Sequence, residues 1–576
     1  MISKPFSHLL AIVSLLSISG HVSAQSLGFD SREATIANVH HALFTGLSSC
    51  RDVVSSFLTR IETYNSKINA IIALNPSALE TADALDEALA QGNSTGPLFC
   101  IPILLKDNFD FAGLPTTGGN LALASLQPAS DAPTVAALQR AGAIVLGKAN
   151  LHELALEGLS VSSLGGQTVN PYDATRTPGG SSGGSGAAVA ASFAVLATGT
   201  DTVNSLRSPA SANNLFSIRP TRGLLSRAGV MPISYTQDAV GVIARSVEDV
   251  AAGLTAMAGV GYDVEGDNAT ALIPEASVGV DYAAELAAAS TSLEGVRFGL
   301  LEPFFNRTAN PENDPVNEAM DAVVEELEAA GATIVRINDT ALFNVTAIMK
   351  LDTQRFEYRE FMEAYLQNPS HTTTSSDNTS FPHTLAGIYA TNDTSSSGTG
   401  STGNGSFLVI PAQYEYVTTA LASSTGNATY ATVQSGVRNL TLALAATFSA
   451  HRVSALLYPE QRNLVVKLGS PSQAGRNGIL AALTGSPVVT VPVGFSGETD
   501  EAPVGVPIGM EVLGRPWDER ALLALGKGVA TALGPRARRK SPEWAREFVE
   551  AKAYESVPVV RPDRGNIPAA YPVGVL

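Results

Sequence analysis

The segment Arg176–Gly223 reads RTPGGSSGGSGAAVAASFAVLATGTDTVNSLRSPASANNLFSIRPTRG, and the interpretation of the whole chain starts from it. Small residues dominate it, and Asp201 is its only acidic residue. A flexible Gly/Ser linker would be polar throughout, whereas here the apolar run Ala187–Leu196 lies between two serine-bearing turns. The composition therefore predicts that the two turns pack against one another.

Helix and strand patterns alternate on both sides of this segment. Residues 133–150 read as a helix, PTVAALQRA, followed by a strand, AIVLGKAN, and Ala332–Ile337 reads as a strand that follows a helix opened by Asp314-Pro315. Ile101–Leu105 and Pro487–Gly494 are apolar runs typical of buried strands. For a chain of 576 residues with 45% hydrophobic residues, this rhythm predicts an α/β fold with a large core.

The first 24 residues resemble a secretory signal peptide. They contain Lys4, the apolar stretch Leu9–Ile18 and a small-residue site at Val22-Ser23-Ala24. The apolar part is too short to span a membrane, and no other apolar run in the chain reaches that length. We therefore expect a signal peptide at residues 1–24 and a secreted mature protein without a membrane span.

Ten N-x-S/T triplets favour the same destination, because each marks a possible glycan on the surface of an exported chain. Their asparagines are Asn93, Asn268, Asn306, Asn338, Asn344, Asn378, Asn392, Asn404, Asn427 and Asn439. The formal net charge of −17 argues against nucleic acid or anionic membranes as partners. The two cysteines, Cys50 and Cys100, suit one disulfide in an oxidising compartment, the alternative being two buried thiols.

Residues 368–406 interrupt the α/β rhythm. The stretches HTTTSSDNTS and TNDTSSSGTGSTGNGS are rich in Ser, Thr, Asn and Gly and carry three of the triplets. This composition is typical of a solvated, glycosylated insertion without chemistry.

Several familiar catalytic motifs fit poorly. GGSSG at 179–183 matches G-x-S-x-G formally, but NPYDATRTP precedes it where a strand is required. The later histidines are unsuitable, because His371 and His383 lie in or beside the low-complexity segment and only His451 remains. No Gly-Lys-Ser/Thr follows the glycines, and His152-Glu153 lacks the second histidine of a zinc motif. We therefore predict no metal and no cofactor.

A serine nucleophile without histidine needs another base, and a lysine that burial keeps neutral can serve. Lys106 follows the apolar strand Ile101–Leu105 directly. The residues alone leave two interpretations open, a Ser/Lys hydrolase and an ordinary surface lysine.

The chain resembles the amidase signature family. The segments that carry the resemblance are GGSSGGSG (179–186), GTDTVNSLRSPA (199–210), RPT (219–221), PILLKDN (102–108), AGAIVLGKANLHE (141–153), SRAGVMPISYTQDAVG (226–241) and GRPWDERALL (514–523). They extend over nearly the whole mature chain, and the segment 226–241 is most similar to the peptide-amidase-like branch. The resemblance implies one compact domain at 25–576, built on a large, mixed, twisted sheet with helices on both faces.

The resemblance also implies a Ser-Ser-Lys triad. Ser205 matches the family's nucleophile, Ser181 matches the serine in a cis peptide bond that relays protons, and Lys106 matches the base. The implied reaction is hydrolysis of a linear carboxamide, with a small-molecule or peptide-like amide as the substrate. Two rivals are a catalytically silent family member that binds an amide or acts as a surface protein, and the related tRNA amidotransferase subunit, whose partners a secreted chain would not meet.

The chain departs from the family in the turn before Ser205. Val203 and Asn204 stand where glycines are usual, and the backbone N–H groups of Thr202, Val203 and Asn204 are the implied oxyanion hole. A β-branched valine requires negative φ at position 203. We expect the two side chains to narrow or reshape the acyl side of the substrate pocket. Asp201 and Arg207 match the family and are expected to pair or to hydrogen-bond the turn.

Overall fold

The computed structural model describes residues 29–93, 96–374, 380–390 and 406–576. The predicted signal peptide and the triplets at Asn378, Asn392 and Asn404 lie outside these described residues.

Strands and helices alternate along the described chain. The strands are β1 (Ile71–Leu74), β2 (Pro102–Lys106), β3 (Leu126–Pro128), β4 (Ile144–Ala149), β5 (Val161–Ser162), β6 (Gly166–Gln167), β7 (Leu196–Asp201), β8 (Phe216–Arg219), β9 (Ala239–Ala244), β10 (Arg297–Leu301), β11 (Thr333–Ile337), β12 (His371–Thr373), β13 (Ala455–Pro459), β14 (Val488–Phe495) and β15 (Pro507–Leu513). The α-helices are α1 (Ile36–Phe44), α2 (Cys50–Ile68), α3 (Ala78–Ala90), α4 (Pro133–Arg140), α5 (Gly183–Ala190), α6 (Arg207–Ala212), α7 (Val247–Ala258), α8 (Tyr282–Ala288), α9 (Asp314–Ala329), α10 (Val345–Met349), α11 (Gln354–Leu366), α12 (Leu385–Ile388), α13 (Tyr414–Ala422), α14 (Ala428–His451), α15 (Ile479–Thr484) and α16 (Glu519–Leu533).

One eleven-stranded mixed sheet organises the molecule, in the order β1-β4-β2-β7-β9-β8-β14-β15-β13-β10-β11. Strand β2 runs parallel to β4 and β7, β10 runs parallel to β11 and β13, and the remaining neighbours are antiparallel. Every residue of β4, β7, β9 and β15 is buried. Because successive side chains of a strand point to opposite faces, both faces of the sheet centre are covered. The predicted mixed α/β fold with helices on both faces is confirmed.

The strands and helices predicted from the sequence lie close to where the patterns put them. Helix α4 begins at Pro133 and α9 carries Pro315 in its first turn, where a missing N–H costs no intrahelical bond. The apolar runs predicted as buried strands are β2 and β14. These elements were recognisable because their apolar residues repeat with the period of the structure they form.

The low-complexity segment is more structured than its composition suggests. Its strand β12 pairs antiparallel with β3, and His371 is buried with its ring 3.1 Å from Asp110 Oδ2. Phe381 and Leu385 belong to a hydrophobic cluster that also contains residues of α11. A few apolar residues therefore anchor the described parts of 368–406, while most of the polar residues around them are exposed.

A disulfide joins Cys50, the first residue of α2, to Cys100, two residues before β2. The predicted pairing is therefore present, and it ties the N-terminus of a helix to the entry of the strand that ends in Lys106.

Most asparagines of the N-x-S/T triplets within the described residues are exposed at the surface. Asn306 is half-buried, whereas the other asparagines in this group are exposed: Asn93, Asn268, Asn338, Asn344, Asn427 and Asn439. Among the described residues, every helix is too short or too polar to span a lipid bilayer.

Candidate active site

The two serine-bearing turns meet at the sheet centre. The first, residues 178–182, precedes α5, and the second, residues 202–206, joins β7 to α6. The backbone N–H of Ser182 donates to the carbonyl oxygen of Ser205 at 3.0 Å. The predicted packing of the two turns is thus observed, and the Gly180–Ser181 peptide bond is cis, as the family resemblance implied.

The first turn has room only for glycine at two positions. Gly179 has φ +71°, and a Cβ there would lie 2.8 Å from the carbonyl oxygen of Ser208. A Cβ on Gly180 would lie 2.8 Å from the carbonyl carbon of Gly158. Since backbone atoms cannot move aside as a flexible side chain can, larger residues would displace Ser181.

Lys106 ends β2 and is fully buried beneath this turn. Its Nζ lies 2.7 Å from Ser181 Oγ and 2.6 Å from Thr200 Oγ1. Among the described residues no carboxylate forms an ion pair with it. Burial is the main cause that lowers the pKa of Lys106 from 10.5 to about 7, against a smaller opposing effect of Asp201 and Asp238. The ammonium group therefore loses its proton near neutral pH.

A second buried lysine shows what sets Lys106 apart. Lys148 lies on the neighbouring strand β4 and is equally buried, but its Nζ lies 3.4 Å from Asp107 Oδ1 and donates to Phe109 O at 2.7 Å. A carboxylate partner favours the charged form of a lysine. Of these two lysines, Lys106 is the one that contacts a serine and that lacks a carboxylate partner in the described structure.

Ser205 lies in the second turn with 7% of its surface exposed. Its hydroxyl has no hydrogen-bond partner in the described part of the chain, and no hydrogen bond joins it to Ser181. The structure thus brings Lys106 and Ser181 into contact and places Ser205 in the adjoining turn with a free hydroxyl. Catalytic hydrogen bonds often form only when the substrate is bound.

The turn before Ser205 presents unpaired backbone donors. Within the described ranges, no acceptor is bonded to the N–H groups of Thr202, Val203 or Asn204. Neither Val203 nor Asn204 has positive φ, so the valine adopts a conformation that β-branched residues tolerate. The three N–H groups thus have no internal acceptor, and position 203 has the negative φ that the predicted oxyanion hole requires of a valine.

The side chains of Val203 and Asn204 are buried against other parts of the chain and do not line the cavity next to Thr200 and Thr202. Val203 is 6% exposed and packs in a hydrophobic cluster with Ile479 and Leu480, while Asn204 Nδ2 donates to Glu460 Oε1 at 2.7 Å. Neither residue lines the cavity beside the site. The turn directs both side chains into the C-terminal half of the chain, and the structure shows no narrowing of this cavity by them.

A buried network of charges supports the same turn. Asp201 bonds Arg207 at 3.0 Å and Arg219 at 2.7 Å, and Arg207 Nη1 also donates to both carboxylate oxygens of Glu511 at 2.6 and 2.7 Å. Burial alone would raise the pKa of Asp201, but the two guanidinium groups outweigh it and lower that pKa below its usual range. The expected pairing of Asp201 with Arg207 is present, and Arg207 also donates to Val203 O.

Some residues at the site were not singled out from the sequence. Thr200 bonds Lys106 and accepts from Asn108 Nδ2 at 3.1 Å, and both lie inside motifs that carry the family resemblance. Glu460 and Glu511 have no such signal. Glu460 directly follows β13 and lies 256 positions from Asn204, and Glu511 lies in β15, 304 positions from Arg207.

A cavity of about 390 Å³ opens beside the site, with Thr200 and Thr202 on its wall. Tyr235 and Phe361 stack at 5.7 Å between ring centroids on its far side, near Tyr365. In the described ranges, no three His, Cys, Asp or Glu side chains cluster closely enough to hold a metal ion.

The eleven-stranded mixed sheet and the contact of Lys106 with Ser181 agree with the family that the sequence motifs indicated. The amidase family model matches residues 52–523, and the chain therefore belongs to the amidase family. The predicted enzyme class, a hydrolase of carbon–nitrogen bonds in amides, agrees with this membership.

Known relatives support the assignment over most of the chain. The native peptide amidase of Stenotrophomonas maltophilia is 32% identical, with a TM-score of 0.74, over 89% of this chain and 98% of that one. A Schizosaccharomyces pombe relative of the amidase class is 31% identical over 90% of this chain and 88% of its own length. A glutamyl-tRNA(Gln) amidotransferase subunit of Rippkaea orientalis is 38% identical, but the match spans 53% of this chain and only 61% of that protein.

Proposed function

We propose that this protein is a secreted serine amidohydrolase that cleaves linear carboxamides through an acyl-enzyme on Ser205. The observation that carries the proposal is the environment of Lys106, which is buried, bonded to Ser181 and Thr200, and lacks a carboxylate partner among the described residues. A neutral lysine in contact with a serine is a base suited to activating a second serine.

In the proposed reaction, Ser205 Oγ attacks the carbonyl carbon of the amide. The hydroxyl proton of Ser205 passes to Ser181 Oγ, whose own proton passes to neutral Lys106. The tetrahedral intermediate then collapses as Ser181 protonates the leaving nitrogen and regains a proton from the Lys106 ammonium, so that ammonia or an amine departs and Lys106 is neutral again. Water attacks the acyl-Ser205 ester by the same proton path and releases the carboxylic acid.

The negative charge of the intermediate requires donors that are already in place. The unpaired N–H groups of Thr202, Val203 and Asn204 supply them, since a donor without an internal acceptor is free to bind the oxyanion. Removing one such donor from an oxyanion hole costs about 10²–10³ in kcat.

The cavity supports the proposed substrate class. Its volume of about 390 Å³ suits a small ligand, and Tyr235, Phe361 and Tyr365 offer aromatic surface. We assign it a small-molecule or peptide-like carboxamide, in keeping with the similarity to a peptide amidase. The net charge of −17 argues against the tRNA-linked role of the amidotransferase relatives.

Secretion and glycosylation belong to the same proposal. The signal-like residues 1–24, the exposed N-x-S/T triplets and the Cys50–Cys100 disulfide all suit the secretory pathway. After expression in a eukaryotic host, the protein should be found in the culture medium with Gln25 as its first residue. Treatment with an endoglycosidase should lower its mass. An intracellular protein with an intact residue 1 would refute this part.

The rival proposal is a catalytically silent member that binds an amide. A fluorophosphonate probe separates the two, because it reacts with activated serines. We expect the wild type to be labelled, Ser205→Ala to be unlabelled, and the surface variant Ser435→Ala to be labelled as the wild type. Persistent labelling of Ser205→Ala would refute the nucleophile, and an unlabelled wild type that releases no ammonia from aliphatic, aromatic and peptide amides would favour the silent member.

A further inference from the structure

We infer that Glu460 is a positioning residue for the oxyanion turn and acts through Asn204. This inference rests on the proposed function, since the turn matters to catalysis only if Ser205 is the nucleophile. Asn204 stands where the related enzymes usually carry glycine, and its side-chain amide donates to Glu460 Oε1 at 2.7 Å. Both residues are 1% exposed, so water does not compete for this bond.

Glu460 itself is held on both sides of its backbone. It follows β13, its N–H donates to Gly509 O of β15 at 3.1 Å, and its carbonyl accepts from Asn477 N at 3.1 Å. The carboxyl group therefore projects from the rigid sheet toward the turn. Because Glu460 is fixed to the sheet, its hydrogen bond to Asn204 also fixes the position of residue 204.

The C-terminal half of the chain leaves space for this contact. A Cβ on Gly478, directly before α15, would lie 2.5 Å from Asn204 Cβ and 2.5 Å from Val203 O. Gly478 O also accepts from Arg207 Nη2 at 3.0 Å. Asn204 therefore fits in the turn because the residue that faces it, Gly478, has no side chain.

The charge state of Glu460 suits a place behind an oxyanion. Burial raises the pKa of Glu460 to about 8, and the nearby Glu511 adds to the effect, while Asn204 and Arg207 oppose it and Asp201 adds a smaller rise. A neutral carboxyl group at pH 7 places no negative charge near the forming oxyanion. Glu460 Oε2 and Asn204 Oδ1 have no hydrogen-bond partner among the described residues, so the bond from Asn204 Nδ2 to Glu460 Oε1 is the polar contact between the two side chains.

The test is a double-mutant cycle on the full-length protein. Glu460→Leu should lower kcat roughly tenfold or more with KM nearly unchanged, because the displaced N–H donors serve the transition state. Glu460→Gln keeps an acceptor for Asn204 and should retain most of the activity. In an Asn204→Gly background, Glu460→Leu should have little further effect, since the group that needs Glu460 is gone. Glu325→Leu, on the exposed face of α9, is the control.

Hydrogen exchange of the peptide that spans 202–206 provides a readout independent of activity. Glu460→Leu should accelerate exchange there in the folded protein, and not in the Asn204→Gly background. Additive effects in the cycle, or a Glu460→Leu variant with unchanged kcat and unchanged exchange, would overturn the inference. A wild type without amidase activity would refute the proposed function instead, and the exchange data would still decide whether Glu460 positions the turn.

Discussion

The two serine turns solve the same problem, holding a hydroxyl at a fixed place, by opposite means. The turn at 178–182 contains Gly179 and Gly180, and a Cβ at either position would lie 2.8 Å from backbone atoms of a neighbouring segment. The turn at 202–206 carries Val203 and Asn204, whose side chains are anchored in the C-terminal half. The first turn is therefore determined by close backbone packing, and the second by long-range side-chain contacts.

This difference explains why one turn tolerates departure from the family pattern. A side chain can replace glycine only where φ is negative and where space lies beyond the backbone. Both conditions hold at 203 and 204, and neither holds at Gly179, with φ +71°. Substitutions in the two turns should therefore act through different supports.

The largest effect is expected from Arg207→Met, which removes the main support of the second turn. Arg207 links Asp201 to Glu511 with all three side chains fully buried. Leaving Glu511 without a partner should lower the free energy of unfolding by about 3–5 kcal/mol. Denaturant titration measures this change. The control Arg336→Met removes an exposed ion pair with Glu302 and should cost less than about 1 kcal/mol; equal losses in the two variants would show that the network does not support the turn.

Gly179→Ala addresses the first turn. Positive φ disfavours alanine by about 1–2 kcal/mol, and the new Cβ would meet Ser208 O. We expect a fall of about 2 kcal/mol or more in the free energy of unfolding together with a slower probe reaction at Ser205. Gly497→Ala is the matched control, because no atom lies within 4 Å of its Cβ and its φ is not left-handed. A Gly179→Ala variant as stable and reactive as the control would contradict close packing as the determinant.

The base beneath the first turn should appear in the pH dependence. Because the pKa of Lys106 is about 7, kcat/KM should fall about tenfold per pH unit below it as the lysine becomes charged. Lys106→Met should be inactive at every pH, whereas the exposed Lys350→Met should keep the wild-type profile. A wild-type profile that is flat from pH 5 to pH 9 would remove Lys106 as the base.

The same pKa has a consequence for stability. The pKa of Lys106 is 10.5 in its ordinary state and about 7 when folded, so the unfolded chain binds more protons between these values. Burial of this lysine therefore costs most below pH 7, and the cost declines as pH rises toward 10.5. The free energy of unfolding of Lys106→Met should therefore exceed that of the wild type most below pH 7, and this difference should decline as the pH rises from 7 toward 10.5.

The smallest effect is expected from Val203→Ala. The lost methyl groups leave a small cavity beside Ile479 and Leu480, at a cost of about 1–2 kcal/mol. The probe reaction at Ser205 should slow only modestly, because Asn204 and Arg207 still hold the turn. Val559→Ala, at an 84% exposed position, should change neither quantity. Narrower substrate selectivity in wild type than in Val203→Ala would instead indicate that the valine reaches the substrate.

Four features could be predicted from the amino-acid sequence: the α/β class, the positions of strands such as β2 and β14, the pairing of Cys50 with Cys100, and, through the family motif, the contact of Lys106 with Ser181. These features depend on local periodicity or on motifs that are contiguous in the chain. The three-dimensional packing was needed to show where the side chains of Val203 and Asn204 point and that Glu460 and Glu511 support their turn. Those contacts join residues 256 and 304 positions apart, and no local pattern records which strand will lie beside which turn once the sheet has formed.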